Sequence, residues 1–254
     1  MVSTLSILAI IFTCILTILF PTVLFIYFRK HYKASFNYFF MGIAIFSIFQ
    51  LIIRIPLLQM VSGKLWFTVY ISSNKYVYGA FLAITAALVE EIGRYLAFRF
   101  ILLDHRKWEN GYAFGIGHGG IEAFSIVGIN YFLMLLLTIH MNLGWFSNIV
   151  TQFPQLLAAK SILLESPAEM LLLAGVERFF VLFIQIGFSL LVLDAVKRIK
   201  PGLLGLAILL HALLDFIAVL IGGNILIVEG IIAIAAMISI YYIKSKKRFW
   251  DYIM

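Results

Sequence analysis

The chain has 254 residues, of which 63% are apolar and only 12% are charged, and its mean hydropathy is +1.07. This composition excludes an ordinary soluble domain, because a soluble chain could not bury so much apolar surface. The sequence therefore predicts an all-α fold, a polytopic bundle of transmembrane helices. We attribute the net charge of +7 to membrane topology and expect no nucleic-acid partner.

Apolar runs long enough to cross a bilayer occur at seven places. The first run has no basic segment before it, so we interpret it as an uncleaved transmembrane helix rather than a signal peptide. We expect a single integral membrane domain over residues 1–254. In chain order the predicted spans are 4–28, 37–60, 76–102, 111–138, 168–193, 202–221 and 224–243.

The distribution of basic residues predicts the orientation of the chain. With the N-terminus outside, 13 of the 19 Lys and Arg residues fall on the cytoplasmic side and 3 on the outer side. Basic residues concentrate in cytoplasmic loops, so the pattern indicates an N-out, C-in topology with about seven spans. The other three are Arg54, Arg94 and Arg178, which lie inside spans; we expect Arg54 to pair with an acid or to reach the interface.

Three ionisable residues lie close together in the third span. A charge inside a bilayer is costly unless it faces inward and meets a partner. Arg94 follows Glu90 by four residues and Glu91 by three, so it can pair with either within one helix. The second carboxylate is then left over, and it could act as a general base or as the partner of a metal-bound water.

The two histidines deep in apolar spans are each followed by an acid four residues later. His118 precedes Glu122 in the fourth span, and His211 precedes Asp215 in the sixth. This spacing places both side chains on one helix face, where they can bind one metal ion. Two histidines with carboxylates are the ligand set of a catalytic zinc site, so the sequence predicts zinc.

The fifth span adds Glu177 and Arg178. Adjacent side chains point about 100° apart on a helix, so the two are not expected to face the same spot. We expect Arg178 to make a structural ion pair and retain Glu177 as a candidate catalytic residue. In the fourth span, Gly111, Gly115 and Gly119 form a ridge that would let another helix approach closely.

The polar residues resemble the signature of the CAAX-protease and bacteriocin-processing superfamily of intramembrane proteases. The Gly-His-Gly-Gly-Ile-Glu run and the Glu177-Arg178 pair are more similar to its YhfC-type branch, bacterial proteins described as intramembrane metalloproteases. The resemblance covers about residues 76–221, which we take as the core site region. The matching motifs read Glu90-Glu91-Ile-Gly-Arg94, Phe114-Gly-Ile-Gly-His118 and His211-Ala-Leu-Leu-Asp215.

The resemblance implies a protease of the bacterial cytoplasmic membrane that cleaves a membrane-embedded or membrane-associated peptide or protein. It implies that His118 and His211 position the metal or water, that one glutamate of the pair activates water, and that Arg94 orients the glutamates or stabilises the oxyanion. Arg94 follows the second glutamate by three residues where four is usual, so either glutamate could be the base. Asp215 replaces the commoner Asn, and which acid completes the metal shell stays open.

A non-enzymatic membrane protein is the alternative. A proton- or cation-coupled transporter, or an immunity or binding factor, could use the same buried polar residues. The absence of an internal repeat in the sequence weakens the case for a transporter. A purely structural bundle is disfavoured, since each buried charge adds a desolvation cost without a gain in packing.

Overall fold

The computed structural model describes residues 2–104, 106–146, 150–154 and 156–253, and describes side chains up to Lys247. The described residues are almost entirely helical and contain no β-strand, which confirms the all-α prediction. Seven of their helices are long and apolar enough to cross a membrane. They are α1 Thr4–Tyr32, α2 Phe36–Ser62, α3 Lys75–Ile101, α4 Trp108–Asn142, α6 Ala168–Lys197, α7 Pro201–Ile221 and α8 Ile225–Ile253, and the shorter α5 is Leu156–Glu165.

The helices extend beyond most of the predicted apolar runs. Helix α1 continues to Tyr32 and α4 to Asn142, through residues that hydropathy alone places outside the bilayer core. Hydropathy marks only the hydrocarbon layer, whereas helical hydrogen bonding continues into the headgroup region. Local capping residues then set the helix starts. The Ser35 hydroxyl accepts from the Asn37 amide at the start of α2, and the Asn74 side chain accepts from the first turn of α3.

Large apolar side chains remain exposed on the spanning helices. Leu8 on α1, Ile52 on α2, Phe100 on α3 and Ile238 on α8 each expose more than half of their surface. A soluble protein rarely exposes continuous apolar surface on this scale. In a bilayer the same side chains meet acyl chains, so this exposure agrees with an integral membrane protein.

The chain forms two compact units. The first contains Met1–Val23 and Glu122–Phe179, and the second contains Leu24–Ile121 and Phe180–Met254. In the first unit, the Thr13 hydroxyl donates to the Leu171 carbonyl oxygen at 2.7 Å and joins α1 to α6. The apolar core of this unit consists of Val2, Ala9, Ile10, Leu163 and Leu171.

The second unit holds α2 and α3, the first part of α4, the later part of α6, and α7 and α8. Helix α3 packs along α7, and α2 packs against α3. Glycines bring α2 and α4 into backbone contact: a methyl group at Gly42 would collide with the Phe114 carbonyl oxygen, and one at Gly117 with the Phe39 carbonyl oxygen. Close packing of this kind places the polar faces of these helices within reach of one another.

The glycine ridge of α4 packs as the sequence predicts. Added methyl groups at Gly111, Gly115 and Gly119 would all meet residues of α6, including Ile186 and Gln185. Helix α4 therefore uses one glycine face against α6 and another glycine, Gly117, against α2. The consequence is that the histidine on this helix lies in a tightly enclosed environment.

Candidate active site

Helix α3 carries the two glutamates and the arginine on its buried face. Glu90, Glu91 and Arg94 are all buried, and Arg94 and Glu91 have no exposed surface. Small residues on the same face, among them Ala83 and Ala87, let neighbouring helices approach the helix closely. These charged side chains therefore point into the protein and not into lipid.

His118 of α4 contacts the first glutamate. Its Nε2 atom lies 3.0 Å from Oε2 of Glu90, and both side chains are buried. The ring of Phe46 meets the imidazole edge-on, with centroids 5.2 Å apart. The crossing of α2 and α4 at their glycines places His118 in this position, because the Gly42 Cα lies against the backbone at residue 118.

His211 of α7 contacts the second glutamate. Its Nδ1 atom lies 2.7 Å from Oε1 of Glu91. The ring of Phe188 stacks on the imidazole with centroids 5.1 Å apart and the two planes 11° from parallel. Hydrogen bonding at one edge and stacking on one face together hold the ring in a single orientation. The close packing of α3 along α7 brings this pair together from positions 120 residues apart.

Arg94 connects the two histidine–glutamate pairs. Its guanidinium forms an ion pair with Glu91 and lies 3.5 Å from Oε2 of Glu90. It also donates to the side-chain oxygen of Gln185 on α6. Arg94 therefore contacts both glutamates at once, which the sequence spacing allowed but did not require. We refer to Glu90, Glu91, Arg94, His118, Gln185 and His211 as the buried cluster.

Gln185 is a member that the sequence analysis missed. It is buried and lies in the apolar run Phe183-Ile184-Gln185-Ile186. An isolated amide in a transmembrane helix needs a hydrogen-bonding partner, and that need was the available signal. The charge pattern alone does not mark this residue, because an amide carries no charge.

The acid that follows each histidine is not its nearest described carboxylate partner. Asp215 lies 3.6 Å from Nε2 of His211, and its side chain is 40% exposed. The closer contact of His211 is with Glu91, on another helix. Asp215 therefore lies at the solvent- or lipid-accessible edge of the buried cluster, where it could still approach a bound group from the same side as His211.

The first unit brings together Glu122, Glu177 and Arg178. Arg178 lies 3.3 Å from Oε1 of Glu122 and forms an ion pair with Glu177. The structural ion pair expected for Arg178 is therefore present. The expectation that Glu177 and Arg178 face different spots is wrong, because the long arginine side chain folds back to its neighbour although their Cβ atoms diverge. Glu122 is one helical turn beyond His118 on α4.

Arg54 hydrogen-bonds to the adjacent helix. It donates to the Thr85 hydroxyl at 3.2 Å and to the Leu82 carbonyl oxygen at 2.7 Å, both on α3. Its hydrogen-bond partners are therefore neutral oxygens, while its charge interacts with Glu90 and Asp215, the kind of acid partner that the sequence predicted. The α2–α3 packing supplies these acceptors directly.

Three buried atoms of the cluster have no hydrogen-bond partner among the described residues. They are Nε of Arg94, Nδ1 of His118 and Oε2 of Glu91. A buried polar atom without a partner is costly, so it usually indicates a bound group that supplies the missing interaction. An imidazole nitrogen and a carboxylate oxygen are both metal-ligand atoms. The buried cluster therefore offers donor atoms of the kind that bind a metal ion.

Comparison with known proteins identifies the family of this chain. A family model described as YhfC intramembrane metalloprotease matches residues 16–237. The "Uncharacterized membrane protein YhfC" of Bacillus subtilis (strain 168) is 35% identical over 237 residues, which cover 91% of this chain and 92% of the relative. No solved structure matches the chain. The chain is thus an integral membrane protein that belongs to the YhfC intramembrane metalloprotease family.

Proposed function

We propose that the protein is a zinc-dependent intramembrane protease that hydrolyses a peptide bond in a membrane-embedded or membrane-associated substrate. The observation that carries the proposal is the pairing of Glu90 with His118 and of Glu91 with His211, with Arg94 in contact with both glutamates. A merely structural ion pair would need one acid and one base. Two acids, two imidazoles and one guanidinium provide groups for water activation and for metal binding.

His118 and His211 would hold the metal. Neighbouring carboxylates would serve as further ligands. Nδ1 of His118 has no described protein partner, and with Nε2–H donating to the Glu90 carboxylate it carries the lone pair that a metal ligand needs. Glu122 and Asp215 each follow a histidine by one helical turn, which is a spacing that metal-binding helices use. When bound, zinc supplies Lewis acidity, which favours ionisation of water and polarises a carbonyl group.

We propose Glu90 as the general base. Its side chain keeps 5% of its surface exposed, whereas Glu91 has none, so water can reach Glu90 with the smaller rearrangement. Its carboxylate would accept a proton from the attacking water and return it to the leaving amine. Glu91 would hold His211 in place, and Arg94 would keep both carboxylates oriented through its fixed fork of donors.

The proposed cellular location is based on the family relative. The Bacillus subtilis relative is named as a membrane protein, so we propose the bacterial cytoplasmic membrane as the location. An enclosed site among spanning helices favours a substrate that reaches it from the bilayer. No substrate sequence is implied by the cluster, because its residues contact one another rather than a specificity pocket.

Metal analysis of the purified full chain tests the proposal. The wild-type protein should contain about one zinc per chain. His118→Ala and His211→Ala should each lose most of it, and His31→Ala, which alters an exposed histidine outside the cluster, should not. Because alanine could disturb folding, His118→Gln and His211→Gln serve as second variants, with helicity measured in parallel. A folded variant with both histidines replaced that retains full zinc would contradict the proposal, because the zinc would then bind elsewhere. Wild-type protein without bound metal would favour a proton relay instead.

A further inference from the structure

A cavity of about 580 Å³ lies where α1 and α3 end and α2 and α4 begin. Its walls are the short α1–α2 and α3–α4 connections and the helix ends that flank them. Two spans, α2 and α3, separate these connections along the chain, so both lie at the same membrane–water boundary. The cavity contains no residue of the buried cluster. We refer to it as the interfacial pocket.

Three basic side chains from separate segments line the interfacial pocket. Arg29 lies on the last turn of α1, Lys33 in the α1–α2 connection, and Lys107 just before α4. Two carboxylates, Asp104 and Glu109, also line it, so the charges of the wall leave one net positive charge. The pocket therefore suits a ligand with a single negative charge and further polar groups.

Two helix starts add to the positive potential. Asn37 on the first turn of α2 and Asn110 on the first turn of α4 both line the interfacial pocket. The positive end of each helix dipole favours anions. The amides of Asn37 and Asn110 already donate to the Ser35 hydroxyl and the Lys107 carbonyl oxygen, so the helix starts add only this field to the three cations.

Hydrogen bonds hold the two connections together. The Ser35 amide donates to the Asn110 side-chain oxygen at 2.8 Å, and the Tyr38 hydroxyl donates to the Asp104 carbonyl oxygen at 2.6 Å. Arg29 donates to the Ala34 carbonyl oxygen at 2.9 Å. These contacts fix the walls of the interfacial pocket, so a ligand would find a largely formed site.

Lys33 has an unfavourable backbone conformation. Its φ is +54°, in the left-handed region where glycine is preferred because a Cβ atom clashes with the backbone. At this position the side chain lines the interfacial pocket.

Apolar surface adjoins the same pocket. Ile101 and Leu103, which also line it, expose 56% and 60% of their surfaces. Because such apolar surface meets acyl chains in a bilayer, a lipid can place its headgroup in the pocket while its acyl chains stay in the lipid phase. The combination of cations, helix starts and an apolar edge at a membrane boundary is typical of a phospholipid headgroup site.

We propose that the interfacial pocket binds the headgroup of an anionic glycerophospholipid of the phosphatidylglycerol type. The phosphodiester lies among Arg29, Lys33 and Lys107, and the headgroup hydroxyls donate to Asp104 and Glu109. Phosphatidylcholine has the same phosphodiester, but it has no net charge to balance the net positive charge of the pocket, and its choline group offers no proton to these carboxylates. The pocket therefore distinguishes phosphatidylglycerol from phosphatidylcholine.

Native mass spectrometry of the delipidated full chain tests this proposal, with dioleoyl phosphatidylglycerol and dioleoyl phosphatidylcholine as probes. The wild-type protein should retain phosphatidylglycerol in preference to phosphatidylcholine. Lys33→Gly should weaken phosphatidylglycerol binding by at least about fivefold, the value expected for one cation at a membrane surface. The same variant should unfold at an equal or higher temperature, because it relieves the backbone strain.

Ile199→Gly is the matched control. Ile199 has a φ of +55° and lies outside the interfacial pocket, so its replacement relieves similar strain without removing a cation. It should bind phosphatidylglycerol as the wild type does. Equal retention of the two lipids, or undiminished binding by Lys33→Gly, would overturn the proposal. Displacement of the lipid by equimolar glycerol phosphate would also overturn it, because the occupant would then be a soluble phosphate.

Discussion

The Nδ1 atom of His211 lies 2.7 Å from Oε1 of Glu91, and the two residues belong to helices α7 and α3. Glu91 is fully buried and also pairs with Arg94, so the contact is one link in a chain of charges that joins both helices. Removal of the imidazole would leave a buried carboxylate with one partner fewer. The contact thus connects the stability of the bundle to the proposed chemistry.

We expect His211→Ala to destabilise the protein by about 1–3 kcal/mol, the cost of leaving a buried polar group unpaired. The measurement is thermal unfolding of the purified chain in detergent, in the absence of added metal. His31→Ala, at an exposed position, should unfold at the wild-type temperature. An unchanged unfolding temperature for His211→Ala would show that the Glu91 contact contributes nothing to stability.

The two glutamates should respond differently to the same substitution. Glu91→Gln removes a charge that Arg94 and His211 both contact in full burial, so it should lower the unfolding temperature. Glu90→Gln should abolish cleavage, because the proposed base is lost, and should lower the unfolding temperature less, because Arg94 lies 3.5 Å from Glu90 and closer to Glu91. Proteomic capture of uncleaved substrates with each variant supplies the activity measurement. Normal cleavage by a folded Glu90→Gln variant would instead identify Glu91 as the base.

Gln185 should matter through Arg94. In Gln185→Leu the guanidinium loses a buried neutral acceptor, and we expect a loss of about 1.5–3 kcal/mol, typical of a hydrogen bond to a charged group. Thermal unfolding and zinc content of the purified variant are the measurements. Gln59→Leu makes the same chemical change at an exposed position of α2 and should have little effect. If both variants unfold at the same temperature, the Arg94–Gln185 contact contributes nothing to stability.

The crossing of α2 and α4 should tolerate no side chain at Gly117. A methyl group there meets the Phe39 carbonyl oxygen, so Gly117→Ala should force the helices apart at a cost of about 1–3 kcal/mol. Since His118 is the next residue, zinc content should fall as well. Gly205→Ala is the control, because nothing lies within 4 Å of its added methyl group and alanine favours the helix. Equal stability of the two variants would show that the crossing adjusts freely.

The arrangement of the buried cluster could be predicted from the sequence only in part. Spacing within each span correctly grouped Glu90, Glu91 and Arg94, and the rarity of charge in lipid marked His118 and His211. The spacing of residues along one helix could not predict the partner of each histidine. The closest acids of His118 and His211 both come from another helix, α3. The same spacing could not predict the contact of Arg94 with Gln185, which lies on another helix.

The sequence by itself determined the fold class and the number of candidate spans, because apolar composition and run length depend on the bilayer and not on tertiary contacts. It also predicted the N-out orientation, which stays a prediction. Only the tertiary structure decided which side chains meet. Residues far apart in the chain are brought together by the glycine contacts between α2 and α4 and by the packing of α3 along α7. The spacing of residues within a helix carries no information about the distances between helices.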